Sequence, residues 1–575
     1  MSSHDLCAQR GLPLSNNIKD IFAVKFKLKP VCFAFGVCWF MALVPASAAE
    51  QAMPVAAVDA GLAFGIQEVV LVGNPGVLSL KSKERLLATL SAAKGAQSGL
   101  ARLQAAVQQG QQLLEQVVPG GYMLSIPAQT IEDGGQIAVQ LSPVLQDVQI
   151  TGAPGYDEEV VRASLPASLQ KGVVLSSKEW PTSQTLTMLN DHPLKATNIQ
   201  FRVEPDQPVT TMVSVSAPTG NAQTTVMLDS YGNNVIGRGM MTVIHTQGNV
   251  GVPNDVLTFY GASSLNQPFQ VGLASLRYAV PDVSAFASHS LGILHSASHV
   301  DTPFLSLGSI AGKGDFTELS YRQTRYLSNV KWFADVALGK SQGQTQFLSN
   351  VLTDYSVSTL PLTLGVEGVY KAQDSAPEVL RDMGGLGRVQ AVFNNAGVLG
   401  LSSPTDYDKA RTGAGSSAVL RWLVDGRATV FNQARMNLQF NGQFTDSKLL
   451  PSGQIAVAGD RAGVRGFINS VLMGDSAAVL RLELEPLALA QAWSGYVSQP
   501  YAFYDAGYKC GGNDERELTV SSAGLGWRLV PQGGTGLSLD VFAARKGQGA
   551  ALDLVPGTTS QVDRTTYWAV GSYRF

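Results

Sequence analysis

The stretch Arg435-Met436-Asn437-Leu438-Gln439-Phe440-Asn441-Gly442-Gln443-Phe444-Thr445 alternates polar and apolar side chains. An extended chain turns successive side chains to opposite faces. Met436, Leu438, Phe440 and Phe444 therefore share one face, and Arg435, Asn437, Gln439, Asn441, Gln443 and Thr445 the other. The same period recurs on both sides of this stretch. Ala478, Leu480, Leu482 and Leu484 alternate with Arg481, Glu483 and Glu485. Trp332, Ala334, Val336 and Leu338 alternate with Lys331, Asp335 and Gly339, and Leu537, Leu539, Val541 and Ala543 with Ser538, Asp540 and Ala544. Turn-forming clusters such as Gly511-Gly512-Asn513-Asp514 and Pro531-Gln532-Gly533-Gly534 separate the runs.

The period of two begins near residue 224 and persists to Phe575. Several runs reach about 9–13 residues, longer than the ~5–6 of a soluble sandwich strand and equal to a tilted membrane strand. At ~22 residues per strand and connection, the segment accommodates about sixteen strands. Lipid offers a backbone no hydrogen-bond partner, so strands cross a bilayer only as a closed barrel. The fold expected is a membrane β-barrel of about 16 antiparallel strands, with apolar residues toward lipid and Arg481, Glu483 and Glu485 toward the lumen.

Composition agrees. Of 575 residues, 15% are charged and 45% hydrophobic, and 59 are glycine. A typical soluble domain carries ~25% charge. Disorder is excluded by the scarcity of charge, and nucleic-acid binding by a net charge of −3 with no basic surplus.

Residues 1–49 read as a signal peptide: Lys19, Lys25, Lys27 and Lys29, then an apolar run from Val31 to Val44, then Ala46-Ser47-Ala48. Its removal takes Cys7, Cys32 and Cys38 and leaves Cys510 alone, so packing and hydrogen bonds are expected to hold the fold. Residues 50–65 form a short N-terminal linker. Strand and helix patterns then alternate twice in a βααββ order. One unit is expected over 66–142, a second over 143–217, and the barrel over 218–575.

Several motifs resemble one family, in the right order and each in the right element. Gly121-Tyr122, Pro127-Ala128-Gln129-Thr130-Ile131 and Gly134 resemble the end of the first POTRA domain of two-partner secretion transporters. Asn190-Asp191-His192-Pro193 resembles the Asn-Asp-x-Pro motif of the second. Val464-Arg465-Gly466-Phe467, within the segment 447–475, is similar to the Val-Arg-Gly-aromatic motif of the family's long loop. Phe503-Tyr504-Asp505-Ala506-Gly507 is similar to its Phe-x-Asp-x-Gly strand. The family is the TpsB (ShlB/FhaC/HecB-like) transporters, relatives of BamA-type POTRA-barrel proteins.

The resemblance implies two α+β POTRA domains before the barrel and a loop at 447–475 folded into the lumen. In that loop Arg465 would pair with Asp505 on the wall, flanked by Phe503 and Gly507. It implies a Gram-negative outer-membrane location, with the POTRA domains in the periplasm. The implied activity is type Vb secretion of a large TpsA-type exoprotein (adhesin, cytolysin or haem-related) without nucleotide. Outer-membrane lipid and, during biogenesis, the barrel assembly machinery are the other partners, with Tyr573 and Phe575 as the C-terminal assembly signal. The short linker, which includes Pro54 and Gly61, is not expected to hold the family's full plug helix.

Enzyme signals are thin, and no enzyme is expected. No Gly-x-x-x-x-Gly-Lys phosphate loop occurs, no cofactor is expected, and no cysteine pair survives processing for zinc or redox chemistry. His289, His295 and His299 share one face of a strand without an expected metal, and Gly384-Gly385-Leu386-Gly387 reads as a turn. A BamA-like insertase is the alternative, disfavoured by only two N-terminal units. A passive porin would lack those units and the Arg465 loop.

Overall fold

The computed structural model describes residues 64–575 apart from 96–98, 130–134, 153–157, 164, 176–181, 232–237, 266–270, 304–308, 348–349, 372–382, 459–461, 468–471, 513–515 and 550–563. The signal peptide, most of the linker, and Thr130, Ile131 and Gly134 of the first POTRA-like motif lie outside the described residues. The chain divides into two compact units, Met1–Pro143 and Val144–Phe575.

The first unit is built from β1 (Ile66–Gly73), α1 (Leu80–Ser91), α2 (Gly99–Val117), β2 (Tyr122–Ser125) and β3 (Gly135–Pro143). Ser79 starts α1 by accepting the Ser82 amide at 3.2 Å, as a helix N-cap should. Leu86 and Leu90 of α1 and Leu103 and Leu114 of α2 are fully buried against Ile137, Val139 and Leu141 of β3. The helices thus cover one face of a sheet ordered β1-β3-β2, with β1 parallel and β2 antiparallel to β3.

The second unit opens with the same arrangement. It comprises β4 (Leu145–Thr151), α3 (Glu158–Ala163), α4 (Thr182–Asn190), β5 (Ala196–Arg202) and β6 (Val209–Ser216). The sheet order is β4-β6-β5, again with one parallel and one antiparallel pair. Leu145, Leu169, Val209 and Val213 form its core.

The chain then enters a closed antiparallel ring of eighteen hydrogen-bonded segments. Two of these continue their predecessors. Asn350–Thr359 and Leu362–Lys371 pair with successive parts of one neighbour, and Pro361, which has no amide hydrogen, sits in the break. Ser476–Pro486 and Gln491–Trp493 likewise share one neighbour across a 3-10 turn at Leu487–Leu489. The barrel therefore has sixteen strands. The last, Thr565–Arg574, closes on the first, Ala222–Asp229, from Val570↔Asp229 to Arg574↔Thr225.

Alternation sorts the side chains as the period of two requires. Leu291, Leu319, Val366, Val389 and Leu525 face outward and are 51–70% exposed. Such an exposed apolar band around a closed barrel is stable only in a bilayer. No helix among the described residues is long and apolar enough to cross a membrane.

One expectation needs correction. Gly384-Gly385-Leu386-Gly387 is not a turn but the start of the strand Gly384–Asn394. A Cβ at Gly385 would stand 2.7 Å from the Asp425 carbonyl oxygen, so the glycine permits close strand approach. His289 and His295 contact Tyr321 and Thr317 respectively on the outer wall. No group of three or more potential metal ligands occurs among the described residues.

Candidate functional site

The strand Ala434–Phe444 does not turn directly into its neighbour Ser476–Pro486. Residues 445–475 intervene and carry a small hairpin of Ile455–Ala458 and Leu472–Gly474. This loop folds against the inner wall, and Arg465 is where it is held. Arg465 Nε donates to Asp505 Oδ2 and Nη2 to Asp505 Oδ1, both at 2.7 Å. Its backbone amide donates to Asp505 Oδ2 at 3.0 Å, and Nη1 reaches Glu483 Oε1 at 2.6 Å. The planar guanidinium holds one carboxylate with two parallel bonds and still has a donor for a second. It also lies over the Phe503 ring, 3.8 Å from the centroid. Arg465 is 2% exposed and Asp505 0%. Burial opposes the charge on Arg465, but Asp505 and Glu483 outweigh it and hold the group protonated beyond the usual arginine range.

The neighbouring motif residues make this approach possible. Gly466 has φ +98°, and a Cβ there would meet Ala544 Cβ at 3.0 Å. Glycine is required by both conformation and space. Its carbonyl accepts from Thr566 Oγ1 at 3.0 Å, tying the loop to the last strand. Val464 and Phe467 are buried with Val457, Ala477, Val479 and Val520. On the wall, Gly507 makes room, since a Cβ would stand 2.3 Å from Val457 Cγ1 and 2.9 Å from Val464 Cγ2. Phe503, Asp505 and Gly507 share the lumenal face of Tyr496–Cys510 by alternation. They receive the arginine's ring face, its charge and the hairpin's valines.

Arg481, Glu483 and Glu485 lie on the same inner face. Arg481 is opposite Asp505 in the strand register. Glu483 and Glu485 receive Arg528 at 3.4 and 3.2 Å, and Glu485 also Asn437 at 2.9 Å. Arg528 pairs with Asp540 at 3.0 Å and lies 4.6 Å from the Tyr501 ring centroid. Sequence reasoning placed Asp540 on the polar side of its strand but paired it with nothing, and it missed Arg528, whose strand parity also places it inside.

It also missed Arg411 and Asp475, a second anchor. Arg411 Nη1 and Nη2 hold Asp475 Oδ1 and Oδ2 at 2.5 and 2.7 Å, while Asp475 accepts the Gly512 amide at 3.1 Å and Leu449 amide at 3.2 Å. Arg411 follows the short helix Pro404–Ala410, whose Tyr407 is buried with Val357 and Leu450. No local pattern joins an arginine to a carboxylate 64 positions away.

The motifs of the N-terminal units do different work. Gly121 forms the tight turn before β2, where a Cβ would stand 2.3 Å from Val118 Cγ1. Tyr122 is buried and donates to the Val77 carbonyl at 3.0 Å. Gln129, whose amide also reaches the Pro127 carbonyl at 3.4 Å, pairs with both backbone groups of Ala138, at 2.9 and 2.8 Å. It occupies the edge of β3 beyond the short β2, as a strand would. Asn190 repeats the device on edge strand β5, donating to the Thr197 carbonyl at 3.0 Å and accepting its amide at 2.6 Å. Sealed edges of this kind discourage chance pairing.

Asp191, next in sequence, turns to the barrel. It accepts from Tyr326 Oη at 2.7 Å and pairs with Lys331. His192 is buried and its pKa falls to about 4, through burial and then the charge of Lys195. Pro193 lines the cavity beneath this contact. At the far end of the chain Tyr573 and Phe575 stack edge to face at 4.7 Å, both exposed on the outer wall.

The arrangement has known counterparts. The family model described as haemolysin secretion/activation protein ShlB/FhaC/HecB matches residues 398–529, which contain both anchored arginines and the receiving wall. No curated protein sequence matches. Among solved structures, CdiB from Escherichia coli is similar with a TM-score of 0.59 at 14% identity, over 91% of this chain and 92% of that one. CdiB from Acinetobacter baumannii is similar with a TM-score of 0.57 at 15% identity, over 90% and 91%. At such identity the structures speak for the fold, while the family match falls on the loop and its wall. Residues 398–529 are thus similar to the haemolysin secretion/activation protein family ShlB/FhaC/HecB, and the chain shares its fold with CdiB.

Proposed function

We propose that this barrel secretes a partner exoprotein across the outer membrane of a Gram-negative bacterium, in the two-partner manner and without nucleotide. The observation that carries the reading is the buried Arg465–Asp505 pair, which holds a family-matched loop on the wall of a polar lumen. The two N-terminal units capture the exported chain in the periplasm. It passes the lumen extended, exchanging hydrogen bonds with lumenal side chains. Arg465, Asp505 and Phe503 position the loop, while Tyr573 and Phe575 present the barrel to the assembly machinery. The partner belongs to the large TpsA-type exoproteins.

Deleting the gene and comparing culture supernatants tests the reading. One large protein should disappear and return on complementation. Arg465→Ala should lower its release severalfold at unchanged barrel level and heat-modifiability. An unchanged supernatant would overturn the proposal.

A further inference from the structure

Beneath the contact of the domain of β4–β6 with the barrel lies a cavity of about 550 Å³, within the size range of sites that take small ligands or short segments. Lys195, Arg277, Arg322, Lys331 and Arg388 line it against Asp191 and Glu367 alone among the acidic residues. Its basic groups come from both sides: Lys195 from the turn before β5, the others from four strands of the wall. The register sets Ser290 opposite Arg322, Arg322 opposite Asp335, Lys331 opposite Glu367 and Glu367 opposite Arg388.

The pairing within this belt is incomplete. Arg322 holds Asp335 at 2.9 Å, and Glu367 is shared between Lys331, at 2.8 Å, and Arg388. Arg277 donates only to a neutral hydroxyl, Ser290 Oγ, at 3.3 Å from Nε and 3.1 Å from Nη2, and no carboxylate pairs with it among the described residues. His192 is uncharged at neutral pH, so it adds nothing to the balance. The excess is positive, in a partly desolvated space where charge acts more strongly than in water. A guanidinium with open donors binds a carboxylate through two charge-assisted bonds.

We infer that this cavity is a binding site for carboxylate-rich segments of an extended polypeptide, with Arg277 as its unneutralised centre. The identity of the ligand as a polypeptide rests on the transport reading above. The site stands where the domain of β4–β6 meets the barrel, so a chain held by that domain meets it on entering the lumen. Acidic segments dwell there and basic ones do not.

The test uses the purified full-length barrel in detergent and a hexa-aspartate peptide, followed by isothermal titration calorimetry. Binding to the unaltered protein is expected, weakened by 0.5 M salt, with none for hexa-lysine. Arg277→Gln should weaken it at least tenfold. Arg427→Gln, on the neighbouring strand but outside the cavity lining, should leave it unchanged. Arg388→Gln, which leaves Glu367 still paired with Lys331, should act in the same direction as Arg277→Gln and serves if that variant does not fold. Absence of hexa-aspartate binding, indifference to Arg277→Gln and Arg388→Gln, or equal weakening by Arg427→Gln would overturn the inference. The assay needs no exported partner, so its failure leaves secretion standing, and failure of secretion leaves the peptide site standing.

Discussion

Two sectors of the lumen handle arginine in opposite ways. Around Arg465 every carboxylate has a matched cation: Asp505 and Glu483 hold Arg465, and Glu483, Glu485 and Asp540 hold Arg528. The buried side chains there interlock, and Gly466 and Gly507 let backbone approach backbone. Around Arg277 the cations exceed the carboxylates and enclose open space. A closed network costs heavily to break because each remaining charge is left buried. An open excess loses little when one member goes and attracts a passing anion. The first sector fixes a loop; the second is free to receive.

The contrast can be broken most severely at the outer anchor. Arg411→Ala strips the buried Asp475 of its bidentate partner, and removal of one member of a buried pair costs about 3–5 kcal/mol. The loop 445–475 should become protease-sensitive while the barrel remains heat-modifiable. An unchanged digestion pattern would show that the anchor contributes nothing. Gly507→Val acts on the close approach instead. The added side chain enters space filled by Val457 and Val464, an overpacking that costs about 1–3 kcal/mol. Hydrogen exchange of Ile455–Ala458 should accelerate accordingly.

The mildest effect concerns the domain of β4–β6. His192 has a pKa of about 4 in place of 6.5, burial being the main cause. Between these values the unfolded chain binds more protons than the folded one, so stability rises with pH. It should be level above pH 6.5 and decline as pH falls from 6.5 toward 4. His192→Gln should flatten that slope in a denaturation series, and an unchanged slope would assign it to other groups.

The strand pattern and the loop were legible for different reasons. Alternation such as Ala478, Leu480, Leu482 and Leu484 against Arg481, Glu483 and Glu485 is local, so it fixes which side chains face inward without knowing their neighbours. The same parity put Phe503, Asp505 and Gly507 on one face. That Arg465 belongs opposite them came from family resemblance, and the structure supplies the geometry. What stayed hidden depended on distant pairing. Arg411 and Asp475 meet across loops, Asn190 seals a strand edge, and Arg277 is notable only for the carboxylate it lacks. The glycines at 384–387 misled because Gly-rich sequence marks turns in soluble proteins, whereas here it lets barrel strands draw close.

The central claim is that Arg465 and Asp505 act as one device holding the loop to the wall. Hydrogen exchange of Ile455–Ala458 and Leu472–Gly474 in Arg465→Ala, Asp505→Ala and the double variant tests it directly. The two single changes should each release the hairpin, and the double change should release it no further, giving a coupling of about 3 kcal/mol. Losses that simply add, or a hairpin that stays protected in all three, would contradict the account.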